Sequence, residues 1–262
     1  MYAFDYSRPT SVADAARALE TSPGARLMAG GQTLIPTMKQ RLAQPPTVID
    51  LGGVGELRGI HRDGRALGIG AMTTHAEVAT SKDVREAIPA LAYLASCIGD
   101  PAVRHSGTLG GSIANNDPAA DYPAAILGLG ATVVTNKRTI ASDVYFKGLF
   151  ETSLEGHEIV TAVGFAVPKR AGYAKFEQRA SRYALVGVFV AETDGAWRVA
   201  VTGAGAKGVF RATDIEKALA SGAAPGSVKI ASAGLISDLH GSAEYRAALI
   251  PVMAERALAA AK

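Results

Sequence analysis

Thr108-Leu109-Gly110-Gly111-Ser112-Ile113-Ala114-Asn115-Asn116-Asp117 joins a glycine pair to a dense run of hydroxyl and amide side chains. A second glycine pair lies upstream, in Leu27-Met28-Ala29-Gly30-Gly31-Gln32-Thr33-Leu34. Glycine lets backbone N–H groups come close to a phosphate and takes up positive φ freely. Two such stretches predict a site that grips an extended, pyrophosphate-bearing cofactor from both sides. The upstream one also stands between the strand-like Leu27-Met28 and a helix start, a junction suited to phosphate oxygens. Read from the residues alone, each stretch is also compatible with an ordinary turn or a solvated surface loop. Asp121 either caps the helix that follows or hydrogen-bonds a ribityl or ribose hydroxyl.

Around these loops the pattern is mixed. Ser11-Val12-Ala13-Asp14 has the form of a helix cap, and Val12, Ala15, Ala16 and Leu19 follow at helical spacing. Residues 26–29 and 47–51 read as strands, with a helix over 33–42 in which Pro36 is tolerable only in the first turn. From Leu57 onward short strands (57–60, 66–70, 131–135) alternate with helices predicted at 74–79, 84–98 and 121–129. Pro168-Lys169-Arg170-Ala171-Gly172 reads as a linker. Strands at 184–191 and 197–202 follow, then helices at 214–220 and 243–260, with Pro251 starting or kinking a segment of the last. The expectation is a 1–172 domain, in subdomains of about 1–56 and 57–172, and a smaller 173–262 domain. Gly203-Ala204-Gly205-Ala206-Lys207-Gly208 matches the dinucleotide fingerprint letter for letter, but Val209-Phe210-Arg211 resumes a strand where that fingerprint needs a helix.

Composition narrows the classes. In 262 residues, 48% are hydrophobic and 19% charged, as in a folded globular chain, and the net charge is only +3. Lys137-Arg138 and Lys169-Arg170 are isolated pairs, not the basic patch that nucleic acid demands. No run reaches the roughly 18 apolar residues of a membrane span, and no secretory leader pattern opens the chain, so the default expectation is a cytoplasmic protein. The single cysteine, Cys97, cannot form an internal disulfide. Nor can it hold an iron–sulfur cluster or a structural zinc, which take about four ligands. Its apolar setting predicts a buried thiol. The five histidines are scattered without metal-ligand spacing and read as surface or core residues, so no metal site and no acid–base catalyst is assigned.

Four stretches carry a family likeness: 29–36, Ile69-Gly70-Ala71-Met72-Thr73-Thr74-His75, 108–121, and Ala180-Ser181-Arg182-Tyr183-Ala184. In them the chain resembles the FAD-binding medium subunit of the molybdenum hydroxylases, the group of bacterial carbon monoxide dehydrogenase and xanthine dehydrogenase. The resemblance implies an α+β fold. Its first part is a two-subdomain FAD-binding domain of the vanillyl-alcohol-oxidase (PCMH) type, and its second a C-terminal domain of antiparallel strands and helices, as in the carbon monoxide dehydrogenase flavoprotein. It implies FAD held by Met28, Ala29, Gly30, Gly31, Gln32, Thr33, Leu34 and Thr74, with Thr108, Gly110, Gly111, Ser112 and Asn115 across from them. Asp121 would meet the polyol or sugar, Ile159 would pack near the adenine, and Tyr183 would lie near the isoalloxazine. Gln32-Thr33 replaces a His-Ser pair of many relatives, and Glu177 stands near a position where some carry lysine.

The resemblance further implies partners: a large subunit with the molybdenum cofactor and a small one with two 2Fe–2S clusters, assembled as a dimer of heterotrimers (a heterohexamer). FAD in this chain would pass their electrons to an external acceptor, a quinone-linked carrier or NAD. A carbon monoxide dehydrogenase-like complex leads this reading, with purine, heteroaromatic and aldehyde dehydrogenases as alternatives. A stand-alone flavin oxidase and a flavin-free scaffold are the readings from other classes.

Overall fold

The computed structural model describes residues 1–262. The first layer contains strands β1 (Asp5–Ser7), β2 (Arg26–Met28) and β3 (Thr47–Asp50), with helices α1 (Val12–Thr21) and α2 (Leu34–Lys39) as crossovers. The strands lie in the order β1-β3-β2 and all run parallel, which helical crossovers permit and tight hairpins do not. The Ser11 hydroxyl accepts the Asp14 N–H at 3.0 Å and so fixes the start of α1. Helix α2 is shorter than expected and keeps Pro36 within its first turn. The first glycine loop leaves from the carboxyl end of β2, the end at which open parallel sheets bind ligands.

The second layer begins with the hairpin of β4 (Ile60–Asp63) and β5 (Ala66–Gly70). Six helices follow: α3 (His75–Thr80), α4 (Lys82–Ala87), α5 (Pro89–Ser96), α6 (Pro101–Ser106), α7 (Leu109–Asn115) and α8 (Tyr122–Gly128). Then come β6 (Thr132–Thr135), β7 (Thr139–Ala141), α9 (Ser142–Tyr145), the small hairpin β8 (Phe146–Gly148) and β9 (Glu151–Thr152), and β10 (Val160–Ala166). The main sheet is antiparallel, in the order β4-β5-β10-β6-β7.

Two expectations are corrected here. The helix read over 84–98 is two helices, because Pro89 drives Ile88 out of helical geometry to φ −141°. The stretch 108–117, read as a loop, is mostly helix. Thr108 caps α7, and Leu109 and Ile113, one turn apart, are fully buried beneath it.

The last layer is an antiparallel sheet of β11 (Arg170–Glu177), β12 (Ala184–Thr193), β13 (Ala196–Thr202) and β14 (Phe210–Arg211), followed by α10 (Thr213–Ala220) and α11 (Ala243–Ala259). Residues of β12 alternate between two cores, as strand geometry requires. Val186, Val188 and Val190 pack with Ile250 and Met253 of α11, while Phe189 and Ala191 join the large core of the second layer. Helix α8 is buried along its whole length. The stretch 168–172 is therefore no loose linker: β11 starts at Arg170, and Ala171 and Tyr173 belong to the core shared across the junction. Residues 203–208 form a turn between β13 and β14 with no helix, and Pro251 lies inside α11 without ending it. No helix is long and apolar enough to cross a membrane.

Candidate functional site

The two glycine stretches, far apart in sequence, face one another. A side chain at Gly30 would run into the Ser106 carbonyl and Gly107, the residues that lead into α7. A Cβ at Gly111 would lie 3.3 Å from the Cβ of Ala29 and 2.9 Å from the Thr108 hydroxyl. Segment 71–75 runs antiparallel beside 107–110, with the His75 N–H donating to the Gly107 carbonyl (3.0 Å) and the Leu109 N–H to the Thr73 carbonyl (3.1 Å). This pairing sets Thr74 opposite Thr108. Ala29, Gly30, Thr74, Thr108 and Gly111 thus line one groove.

Donors are unevenly shared across that groove. The N–H groups of Gly30, Gly31, Gln32, Thr33 and Leu34 have no acceptor within the chain; internal bonding resumes only at Ile35, which donates to the Gly31 carbonyl. Gly31 has φ +69°, which turns the chain sharply and is open to glycine at little cost. On the opposite wall the Gly110 N–H goes to the Ala71 carbonyl (2.8 Å) and the Ser112 N–H to the Thr108 carbonyl (3.0 Å). The Gly111 N–H goes to the Thr108 hydroxyl at 3.1 Å. The expectation that both stretches offer amides is corrected: α7 uses its own for capping and pairing. What this wall offers is close approach and side chains. Ser112 and Asn115, one turn apart and half-buried, carry no internal hydrogen bond on their side chains. The neighbouring Asn116, at φ 46°, instead ties the β8–β9 hairpin to α7 through the Gly148 and Glu151 carbonyls, both at 2.8 Å.

Other expected residues fall as follows. Ile159 is only 1% exposed, in the small core with Ala15, Leu57 and Met72 on which Ala29 rests. Its backbone is paired with Asn136 in both directions, so it shapes the floor and presents no open side-chain face. Asp121 does not cap α8. It is buried, and its Oδ1 accepts from the Tyr173 hydroxyl at 2.5 Å and pairs with the Lys175 ammonium at 2.9 Å. Burial pushes this carboxyl up, while Lys175 and Tyr173 pull it back. Oδ2 has no internal hydrogen bond. Tyr183 is partly exposed on a cavity of about 360 Å³, together with Asp117, Pro118, Gln178, Asp238 and Arg246. The Arg246 guanidinium donates there to both Asp238 oxygens at 2.8 Å and to the Leu185 and Gly203 carbonyls, while its buried Nε has no partner.

His75 is a core residue. It packs on Gly107, lies 5.3 Å from the Tyr122 ring, and has its pKa lowered to about 4 by burial and then by Arg104. Cys97 is half-buried instead of fully buried; burial raises its thiol, and its carbonyl accepts from Lys175. Lys175 and Tyr173 were not legible as site residues. The available signal was their shared face with Glu177 on β11, two residues apart.

A row of unpaired amides at a strand end, facing a wall shaped by glycine, fits a pyrophosphate. Comparison with known proteins gives the family. Residues 2–169 match the FAD binding domain in molybdopterin dehydrogenase. The chain is 36% identical to the nicotine 6-hydroxylase medium subunit of Paenarthrobacter nicotinovorans, over 98% of this chain and 96% of that protein. It is 37% identical to the carbon monoxide dehydrogenase medium chain of Afipia carboxidovorans, over 99% and 96%. The solved structure of quinoline 2-oxidoreductase from Pseudomonas putida 86 contains a chain that superposes with TM-score 0.90 at 31% identity, covering 99% of this chain and 97% of that one.

Proposed function

The chain belongs to the FAD-binding medium subunits of the molybdenum hydroxylases, an oxidoreductase family, and on that premise we propose that it takes electrons from a partner's iron–sulfur clusters and hands them to an external acceptor. The observation that carries the reading is the row of five free amides, Gly30 to Leu34, across from Gly111. These amides hold the pyrophosphate, supported by the hydroxyls of Thr108 and Ser112 and by the Asn115 amide, while Thr74 shapes the wall, its hydroxyl being committed to Glu77 at 2.8 Å. The free Oδ2 of Asp121 takes a polyol hydroxyl, Ile159 supports the adenine end from below, and Tyr183 covers the ring end. FAD, when bound, supplies the redox chemistry; the protein orients it and shields it.

One cysteine leaves this chain without the thiolates of an iron–sulfur cluster; membership of the family supports clusters on a small partner and the molybdenum cofactor on a large one, in a dimer of heterotrimers. Near-equal identity to a nicotine hydroxylase subunit and a carbon monoxide dehydrogenase subunit supports a reading in which substrate choice lies outside this chain. Co-expression with the neighbouring subunits should give a complex with one FAD per copy of this chain. Its flavin spectrum should bleach with the complex's substrate and recover with a quinone or NAD. Turnover of an organic substrate by this chain alone, or a folded chain that takes up no FAD, would overturn the proposal.

A further inference from the structure

We propose that Lys175 is a positioning residue that holds the two ends of the flavin site in register, Asp121 on the polyol side and the Arg182–Tyr183 turn on the ring side. The inference rests on the reading that this chain binds FAD. Lys175 stands in the middle of β11 with its side chain only 4% exposed, and a buried ammonium is costly unless fully paired. Its three donors find three acceptors from three different elements. They are Asp121 Oδ1 at 2.9 Å before α8, the Cys97 carbonyl at 2.8 Å after α5, and the Arg182 carbonyl at 2.7 Å in the β11–β12 turn.

Both flavin-facing groups depend on those bonds. With Tyr173 and Lys175 on Oδ1, the Asp121 carboxylate is fixed in rotation and presents Oδ2. The turn at 178–183 holds Arg182 at φ +61°, a left-handed geometry that disfavours any side chain. That geometry is secured by the Arg182 N–H to the Gln178 carbonyl (2.8 Å), the Gln178 N–H to the Tyr183 carbonyl (2.9 Å), and Lys175 on the Arg182 carbonyl. The Arg182 carbonyl belongs to the peptide that leads into Tyr183, so its orientation sets where the Tyr183 ring stands. Glu177, next on the same face, has no comparable set of contacts. The lysine that organises this end of the site is therefore two residues upstream of it.

The test compares FAD with ADP, which carries the pyrophosphate and adenosine but neither polyol nor ring, on the full-length chain. Lys175→Met should weaken FAD roughly tenfold or more while ADP affinity stays within about twofold. The flavin that remains bound should fluoresce more brightly, because Tyr183 no longer stacks on it. Since Lys175→Met leaves a lone buried carboxylate, the Asp121→Asn/Lys175→Met pair serves as the folding control: it should melt close to wild type and still bind FAD weakly. Parallel loss of FAD and ADP, or wild-type FAD affinity and fluorescence in the paired variant, would overturn the proposal. Failure of the wild-type chain to bind FAD would instead sink the functional reading beneath it.

Discussion

Loop 29–34 and the turn into α7 each bring one glycine of a pair, Gly30 and Gly111, to the same groove, yet the N–H groups around them have opposite fates. In the first, five consecutive amides point to no internal acceptor. In the second, Leu109 through Ser112 are all bonded inside the chain. The difference lies in what runs alongside. Segment 71–75 lies beside the second stretch and takes the Leu109 and Gly110 donors, and Thr108 takes those of Gly111 and Ser112 as the cap of α7, whereas the first turns away from the end of β2 with no acceptor for its amides. Glycine therefore serves two purposes here: donor exposure on one wall, and absence of bulk on the other.

Gly30→Ala should break that arrangement most severely. The added methyl would overlap the Ser106 carbonyl, so the loop must move, at a cost of about 3 kcal/mol in stability and with loss of FAD retention. Thermal melting and flavin content check this; wild-type values for both would mean the walls do not touch.

Acid should act on the α7 side. His75, packed on Gly107, has a folded pKa of about 4, below the ordinary value of 6.5. Between those values the unfolded chain binds a proton that the folded chain refuses. Stability is then complete above pH 6.5 and declines by roughly 3 kcal/mol as pH falls to 4. Urea titrations across that window should show the decline in wild type and a flatter course in His75→Gln. Equal slopes would place the acid sensitivity elsewhere.

The smallest expected effect is that of Thr108→Ala. Losing the cap on α7 should cost about 1 kcal/mol, and FAD affinity should fall only modestly, because the Gly111 amide it frees is not the principal phosphate donor. A loss of FAD binding as large as that of Gly30→Ala would make the two walls equivalent.

Much of this molecule could be read from its sequence, and the parts that could not have identifiable reasons. The glycine pairs, the Ser11 and Thr74 helix starts and the strand after Gly208 are local signals, and local signals survive folding. Helix α7 was masked because glycine twice in a first turn reads as a loop; the capping Thr108 and the Leu109–Ile113 spacing argued otherwise. Pro89 had announced the break between α4 and α5. Which amides stay free is only partly local: Thr108 satisfies Gly111 and Ser112 from within α7, but Leu109 and Gly110 depend on segment 71–75 arriving beside 107–110. The burial of Lys175 depends in the same way on three acceptors contributed by distant elements.

Amide hydrogen exchange of the full-length chain, with and without FAD, tests the central claim most directly. The N–H groups of Gly30, Gly31, Gln32, Thr33 and Leu34 should exchange quickly in the free chain and slow sharply with FAD, while Leu109 to Ser112 stay slow in both states. New protection confined to 109–112, with 30–34 unchanged, would contradict it.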